Sequence, residues 1–144
     1  MKKRLRETSW EDYGISKHRY EELRAFCLQY EEKKNKIKRG LSGISYNAAP
    51  GRSGTGNPTE RAAMRNSVYQ RDCEMIEQAA IAADPEIYPY IIKSVTEDLP
   101  YKFIEYDNVL GRISMGGTEF YARRRLFYHY LDELKNGYKI DPNP

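Results

Sequence analysis

The chain has 144 residues, of which 40% are hydrophobic and 31% are charged, and its formal net charge is +3. This length suits one domain with a modest core, and the composition excludes collagen-like, mucin-like and disulfide-rich chains. No apolar run approaches the roughly 18 residues that span a bilayer, and no signal-peptide pattern follows the basic start. We therefore expect a protein of the cytoplasm.

The sequence offers little for catalysis or metal binding. Cys27 and Cys73 form no CxxC pattern, and the chain has only two histidines. Both cysteines lie on apolar helical stripes, where an inert core thiol is the default. The carboxylates Asp72, Glu74 and Glu77 share one predicted helix but lack further ligands for a metal-dependent nuclease. The sequence predicts no enzyme activity, no cofactor and no metal.

Basic residues are concentrated at the N-terminus, where residues 1–39 hold 12 basic and 7 acidic side chains. Residues 1–15 show no period and predict a flexible basic arm. Ser16 is a suitable N-cap for an N-terminal helix within residues 16–39, whose apolar stripe recurs at helical steps. The basic end of this helix can favour the helix dipole, or it can contact phosphate groups through Lys36, Lys38 and Arg39.

Residues 40–57 are rich in glycine and predict a linker. Gly51 and Gly56 have the spacing of a phosphate-binding loop, but the lysine that such a loop needs is absent, so a nucleotide site is excluded. Asn57, Pro58 and Glu60 then form a helix start, and this helix is predicted to reach Ala83. Its apolar face could be a dimer seam, although packing within the chain is the better interpretation; the face consists of Ala62, Tyr69, Cys73, Ile76, Ala80 and Ala83.

The rest of the chain predicts helices over 85–96, 100–107 and 118–136, with a glycine-containing turn between the last two. No segment has the period of two that indicates a strand. We therefore predict an all-α fold: a long N-terminal helix and a helical domain over 58–137 that ends in a helix-turn-helix-like unit. Residues 138–144 are expected to form a tail.

The last helix carries the best candidate for function. A helical wheel places its core face at Phe120, Phe127, Leu131 and Leu134. The opposite face is predicted to hold Thr118, Ala122, Arg125 and His129, with Arg123 and Arg124 on the flanks. A helix that exposes such residues near its N-terminus has the layout of a DNA recognition helix. The alternative is that these arginines only solvate an amphipathic helix.

Several stretches resemble small phage proteins of the RinA/ArpU type, which are late-operon transcriptional regulators. Residues 54–63 (GTGNPTERAA) are similar to the entry of their second helix. Residues 113–116 (ISMG) and 120–128 (FYARRRLFY) are similar to their C-terminal segment, which itself resembles the helix-turn-helix of sigma factor region 4. Residues 20–30 look like the first helix of clostridial phage relatives.

This resemblance implies binding to double-stranded DNA near promoters, often beside host RNA polymerase. The residues that the resemblance implies for contacts with base edges are Thr118, Tyr121, Ala122 and Arg125. The residues that it implies for contacts with the DNA backbone are Arg112, Arg123 and Arg124.

Two other functions stay open at this point. The protein could be a helical interaction module that binds a host protein, with tyrosines as anchors; these are Tyr88, Tyr90, Tyr106, Tyr130 and Tyr138. It could also be a small packaging subunit of a terminase, which would form a ring, and a homodimer is open as well. A continuous positive stripe from residues 33–39 to the last helix would favour DNA, and a neutral aromatic patch would favour a partner protein.

Overall fold

The computed structural model of the chain describes residues 4–43 and 58–140. Within them the fold is all-α, as predicted, with one very small sheet. The helices are α1 (Lys17–Leu28), α2 (Tyr30–Gly43), α3 (Pro58–Ala83), α4 (Tyr88–Glu97), α5 (Tyr101–Ile104) and α6 (Gly117–Lys135). In the described part of the chain, none of them is long and apolar enough to cross a membrane.

The N-terminal helix that the sequence predicts as one piece is two helices divided at Gln29. Ser16 caps α1 by accepting a hydrogen bond from the Arg19 N–H at 3.1 Å. α2 runs on to Gly43, so the prediction that a linker begins at residue 40 is wrong. The remaining linker positions and the glycine motif that ends at Gly56 lie outside the described residues.

α2 and α3 form an antiparallel helical hairpin, because Lys33 of α2 pairs with Asp72 of α3 while Lys36 lies over Tyr69. α3 begins at Pro58, as its cap pattern predicts. Its C-terminal half is buried within the chain against α6 and α4. This packing occupies the face that could otherwise have been a dimer seam.

α6 lies at the centre of the molecule. Phe120, Phe127 and Leu131 are completely buried, as the helical wheel predicts. α6 contacts α1, α3, α4 and α5, and it also contacts the N-terminal segment. Because α6 is surrounded in this way, burial extends beyond its predicted core face to Ala122 and Tyr128.

The N-terminal segment is packed on the body of the protein, although the sequence predicts a flexible arm. It contains one 3-10 turn, Leu5–Glu7, followed by a turn that the Ser9 and Asp12 side chains organise. The Trp10 ring centroid lies 5.8 Å from that of Tyr128 on α6. Trp10 therefore anchors the segment, and the Thr8 carbonyl adds a contact by accepting a hydrogen bond from Arg125 of α6.

α4 begins at Tyr88, three residues later than predicted, because the Asp84 carboxylate accepts hydrogen bonds from the N–H groups of Glu86 and Ile87 and holds a turn there. The predicted fourth helix is only the single turn α5. After it come two strands, β1 (Tyr106–Asp107) and β2 (Gly111–Arg112), which pair antiparallel. Two residues per strand are too few for an alternating pattern, so this sheet is not detectable in the sequence.

Candidate nucleic-acid interface

The distal half of the α2–α3 hairpin carries a basic groove of about 320 Å³. Two cations come from α2 and one from α3. We call this feature the hairpin groove, and its lining consists of Lys36, Arg39, Ala62, Arg65, Asn66 and Tyr69. Three of these six residues are cationic and none is acidic.

The cations of the hairpin groove face solvent around an aromatic floor. Lys36, Arg39 and Arg65 are exposed, whereas Asn66 and Tyr69 are half-buried. The Lys36 ammonium lies 5.2 Å from the Tyr69 ring centroid, a cation–π geometry. Its contact with the Glu32 carboxylate is a 3.7 Å pair between exposed groups, which is a weak interaction. The rim of the groove is therefore rich in hydrogen-bond donors, and its lining includes no carboxylate.

In the proximal half of the hairpin, two cations are paired with carboxylates of α3. The Lys33 ammonium lies 3.0 Å from Asp72, and the Lys34 ammonium lies 3.0 Å from Glu77. The Tyr30 hydroxyl also donates to Glu77, and burial together with this carboxylate raises the pKa of Tyr30. Within the basic run 33–39, Lys33 and Lys34 therefore have a structural role.

A larger cavity of about 410 Å³ lies between α1 and the end of α6, and its lining includes the carboxylate of Glu22 beside two cations. Arg19 donates to Asp132 at 2.5 Å and also contacts Glu22. Lys135 lies 3.8 Å from the Phe26 ring centroid, and burial lowers the pKa of its ammonium. This cavity therefore offers an anion much less than the hairpin groove does.

The arginines of α6 are bound to groups of the protein itself. Arg123 lies 3.6 Å from the Asp84 carboxylate, and its Nε atom is buried. Arg124 donates to the Ser94 hydroxyl at 3.2 Å, and its guanidinium lies 4.7 Å from the Tyr121 ring centroid. Both side chains are half-buried. These contacts favour a structural role over phosphate binding.

Arg125 is covered by the N-terminal segment. Its Nε donates to the Thr8 carbonyl at 3.1 Å, and its Nη2 donates to the Arg6 carbonyl at 3.3 Å. The prediction that Arg125 points to solvent for base reading is therefore wrong for this conformation. The N-terminal segment itself is what covers it.

The other residues that were predicted to contact DNA bases differ in their exposure. Ala122 is fully buried, so its placement on an outward face is wrong. Tyr121 is half-buried, and its hydroxyl accepts a hydrogen bond from the Tyr101 N–H at 2.8 Å. Thr118 alone of the four is exposed, in the first turn of α6. The four residues predicted to contact DNA bases therefore do not form one exposed surface.

Arg112 lies at another place on the surface. It is exposed on β2, and its guanidinium lies 5.4 Å from the Tyr106 ring centroid. The predicted backbone contacts Lys38 and Arg39 remain exposed on α2, together with Lys36. Among the residues predicted to contact DNA, Lys36 and Arg39 lie together in the hairpin groove.

The hairpin groove and the α6 arginines are well separated. Asp84, the partner of Arg123, directly follows the end of α3. Asn66 in the groove lies about eighteen residues earlier, which is roughly 27 Å along the helix axis. Lys33 and Lys34, which lie between the groove and Arg123 along the hairpin, are paired with carboxylates. The described residues therefore form no continuous positive stripe from the hairpin groove to Arg123, the arrangement that would have favoured DNA.

Sequence analysis did not identify the α3 side of the groove. Arg65, Asn66 and Tyr69 lie at helical spacing on the face that α2 covers. The sequence feature that pointed to this side was Tyr69, a residue of the predicted apolar face that lies between Arg65 and Arg71. Its place in a groove becomes visible only when the antiparallel pairing of the helices puts it opposite Lys36.

Among the described residues there is no group of three or more histidine, cysteine, aspartate or glutamate side chains that could hold a metal ion. Comparison with known proteins found no matching family model, no matching curated protein and no matching solved structure.

Proposed function

We propose that this protein binds double-stranded DNA and that the hairpin groove is its principal contact with the phosphate backbone. The observation that carries the proposal is the convergence of Lys36, Arg39 and Arg65, from two helices, on one groove without an acidic lining residue. Lysine and arginine that neutralise phosphates displace condensed counterions, which is a strong and general source of affinity for DNA.

The chemistry of the groove favours phosphate over bases. A base that stacks on tyrosine needs a free ring face, but Tyr69 is half-buried and lies beneath Lys36. Arginine and lysine at the rim suit phosphate oxygens, and Asn66 adds a neutral donor. We therefore expect contacts that position the protein on DNA with little discrimination between sequences.

The test is a gel-shift or fluorescence-anisotropy titration with the variant Lys36→Gln/Arg39→Gln/Arg65→Gln. This variant keeps polar side chains and removes three charges, so we expect its affinity for duplex DNA at low salt to fall at least about tenfold. The loss should be similar for unrelated sequences.

A matched control removes the charge of three exposed lysines elsewhere: Lys17→Gln/Lys102→Gln/Lys139→Gln. If this control loses as much affinity as the groove variant, the effect comes from net charge and the site is wrong. If the unmodified protein does not bind duplex DNA at low salt, the function is wrong.

The resemblance to phage late-operon regulators supplies the proposed biological role. We propose that DNA binding serves the regulation of transcription and that a host protein such as RNA polymerase is a further partner. The test is a gel-shift with the intergenic DNA of the phage that encodes the chain, competed with unrelated DNA. Retention of the specific complex under competition would support regulation, and equal competition would leave only general DNA binding.

Protein binding is the second candidate because one apolar patch is exposed around the β1–β2 hairpin. Phe103, Tyr106 and Val109 are 62%, 66% and 90% exposed. Such a patch is typical of a protein contact. The variant Phe103→Ser/Val109→Ser separates the two candidates, because it should leave DNA affinity unchanged if the hairpin groove is the DNA site.

A further inference from the structure

Residues 4–13, which we call the N-terminal strap, cover the polar face of α6. Thr118, Arg125 and His129 follow one another at helical spacing along this face. Thr118 at its start is exposed. Further along, Arg125 donates to two strap carbonyls, and the Tyr13 ring stacks on His129 with centroids 4.7 Å apart.

The contacts that hold Arg125 are weak for a cation. Its hydrogen-bond acceptors are two neutral carbonyl groups, and no carboxylate of the described residues forms an ion pair with it. By contrast, Arg19, Arg24 and Arg123 each have a carboxylate partner. A phosphate oxygen would replace the carbonyls with charge-assisted hydrogen bonds, which are shorter and stronger.

The strap packs on α6 with little burial. The 3-10 turn Leu5–Glu7 contacts α6 but buries no residue. Trp10 is half-buried against Tyr20 and Tyr128. Ile15, two residues beyond the strap, is buried and fixes its end. The strap can therefore be displaced, Trp10 included, without unfolding the body.

We propose that the N-terminal strap is an autoinhibitory cover, and that a phosphate of bound nucleic acid displaces it and takes over Arg125. This inference rests on the proposed nucleic-acid binding and adds a second, conditional contact. Arg4 and Arg6, released with the strap, would then be free to follow the phosphate backbone. The covered state keeps α6 from binding anions before DNA is held by the hairpin groove.

The first test is a cycle of four full-length proteins: the unmodified chain, Thr8→Gly/Tyr13→Ala, Arg125→Gln, and the combination. Thr8→Gly/Tyr13→Ala removes the stack on His129 and frees the strap backbone, while Trp10 and Arg125 remain. We expect it to tighten duplex binding at least about fivefold, a typical size for coupling between sites. We expect the gain to fall below about twofold when Arg125→Gln is added.

Tyr138→Ala is the matched control for loss of a tyrosine, because Tyr138 is 64% exposed and lies outside the strap. Leu5→Gly serves as a second weakening variant if Thr8→Gly/Tyr13→Ala does not fold. The proposal is overturned if the weakened strap gives no gain, or if the gain survives without Arg125.

The second test uses Trp10, the single tryptophan of the chain, as a reporter on the strap. Displacement should loosen the packing of Trp10 against Tyr20 and Tyr128, so its emission maximum should move to longer wavelength when a short duplex saturates the unmodified protein. An unchanged maximum at saturation contradicts the proposal.

The two proposals fail in different ways. If the groove variant binds DNA as tightly as the unmodified protein, the hairpin groove is wrong, while the Arg125 cycle still decides the strap. If weakening the strap gives no gain in DNA affinity while the groove variant loses affinity, only the proposal of an autoinhibitory strap is wrong.

Discussion

Arg123, Arg124 and Arg125 are consecutive in the sequence, yet each is bound to a different part of the molecule. Asp84, Ser94 and the strap carbonyls are their partners. Consecutive residues on a helix point in directions about 100° apart, so they cannot act as one basic patch. A run of like charges thus describes composition, and its function depends on what surrounds each side chain.

Arg124→Gln should test this structural role. The variant loses the contact with the Tyr121 ring and weakens the bond to Ser94, so we expect a loss of about 1 kcal/mol in unfolding free energy. We expect its DNA affinity to stay within about twofold of the unmodified protein. Denaturant unfolding and anisotropy titration measure the two quantities, and Thr118→Ala, at an exposed site, is the control with little effect on stability.

The opposite pattern for Arg124→Gln would support the role that the resemblance implies. Reduced DNA affinity with unchanged stability would mean that Arg124 contacts the DNA backbone.

Asp107 is the residue whose ionisation most clearly supports local structure. It pairs with the Lys93 ammonium and accepts hydrogen bonds from the N–H groups of Leu110 and Val109, which lower its pKa from 3.8 to about 2. The folded state thus holds the carboxylate ionised where the unfolded chain would bind a proton. Its stabilising effect is complete above pH 4 and is lost as the pH falls towards 2.

Asp107→Asn should therefore lower the melting temperature at neutral pH and have little effect near pH 2. Thermal unfolding of both proteins between pH 2 and 7 measures the difference. A difference that is the same at every pH would show that the carboxylate charge is not what stabilises the β1–β2 hairpin.

At the scale of elements, the α2–α3 hairpin is held at its base by a polar cluster. Glu77 accepts from Tyr30 and pairs with Lys34, and Lys33 pairs with Asp72. The Lys33 ammonium also lies 4.2 Å from the Phe26 ring centroid, which connects α2 to α1. These contacts fix the direction of the hairpin and hence the position of its groove.

Glu77→Gln should loosen this base without disturbing the core. We expect the opening free energy of α2 to fall by about 1 kcal/mol, because one partner of two polar contacts loses its charge and Glu77 is partly exposed. Hydrogen exchange should become faster in α2 and stay unchanged in α6. Equal acceleration in both helices would mean that the hairpin and the core open together.

The sequence predicted the elements with strong periodicity and clear caps. The start of α3 at Pro58 and the core positions of α6 follow from local rules. The division at Gln29 and the β1–β2 sheet do not, because both depend on how α1, α4 and α5 pack.

The candidate site was predicted only on its α2 side. Lys36 and Arg39 belong to a basic run that is visible in the sequence, whereas Arg65 joins them through long-range pairing of helices. The wrong predictions of exposure for Ala122 and Arg125 also result from long-range packing. A helical wheel predicts one buried face, but α6 is packed on several sides, and the strap that covers Arg125 comes from more than 110 residues away in the sequence.

At the scale of the whole molecule, the net charge of +3 is small for a DNA-binding protein. Binding must therefore depend on where the positive charges are concentrated. If the hairpin groove neutralises phosphates, the logarithm of the association constant should fall linearly with the logarithm of salt concentration, with a slope of about −0.9 per phosphate.

The groove variant with three glutamines should reduce the magnitude of that slope by roughly 2 to 3. Titrations at several salt concentrations measure the slopes of the variant and the unmodified protein. Parallel lines would mean that the three cations do not contact phosphates, even if the affinity differs.

The single non-helical residue between α1 and α2 sets the rotational phase of the groove. Inserting one residue at Gln29 would turn α2 by about 100° and shift it by about 1.5 Å, which would carry Lys36 and Arg39 away from α3. Substitutions at Gln29 that keep its backbone conformation leave that phase unchanged, whereas insertions and deletions destroy it. Relatives that retain the groove are therefore expected to keep the same number of residues between Leu28 and Lys36.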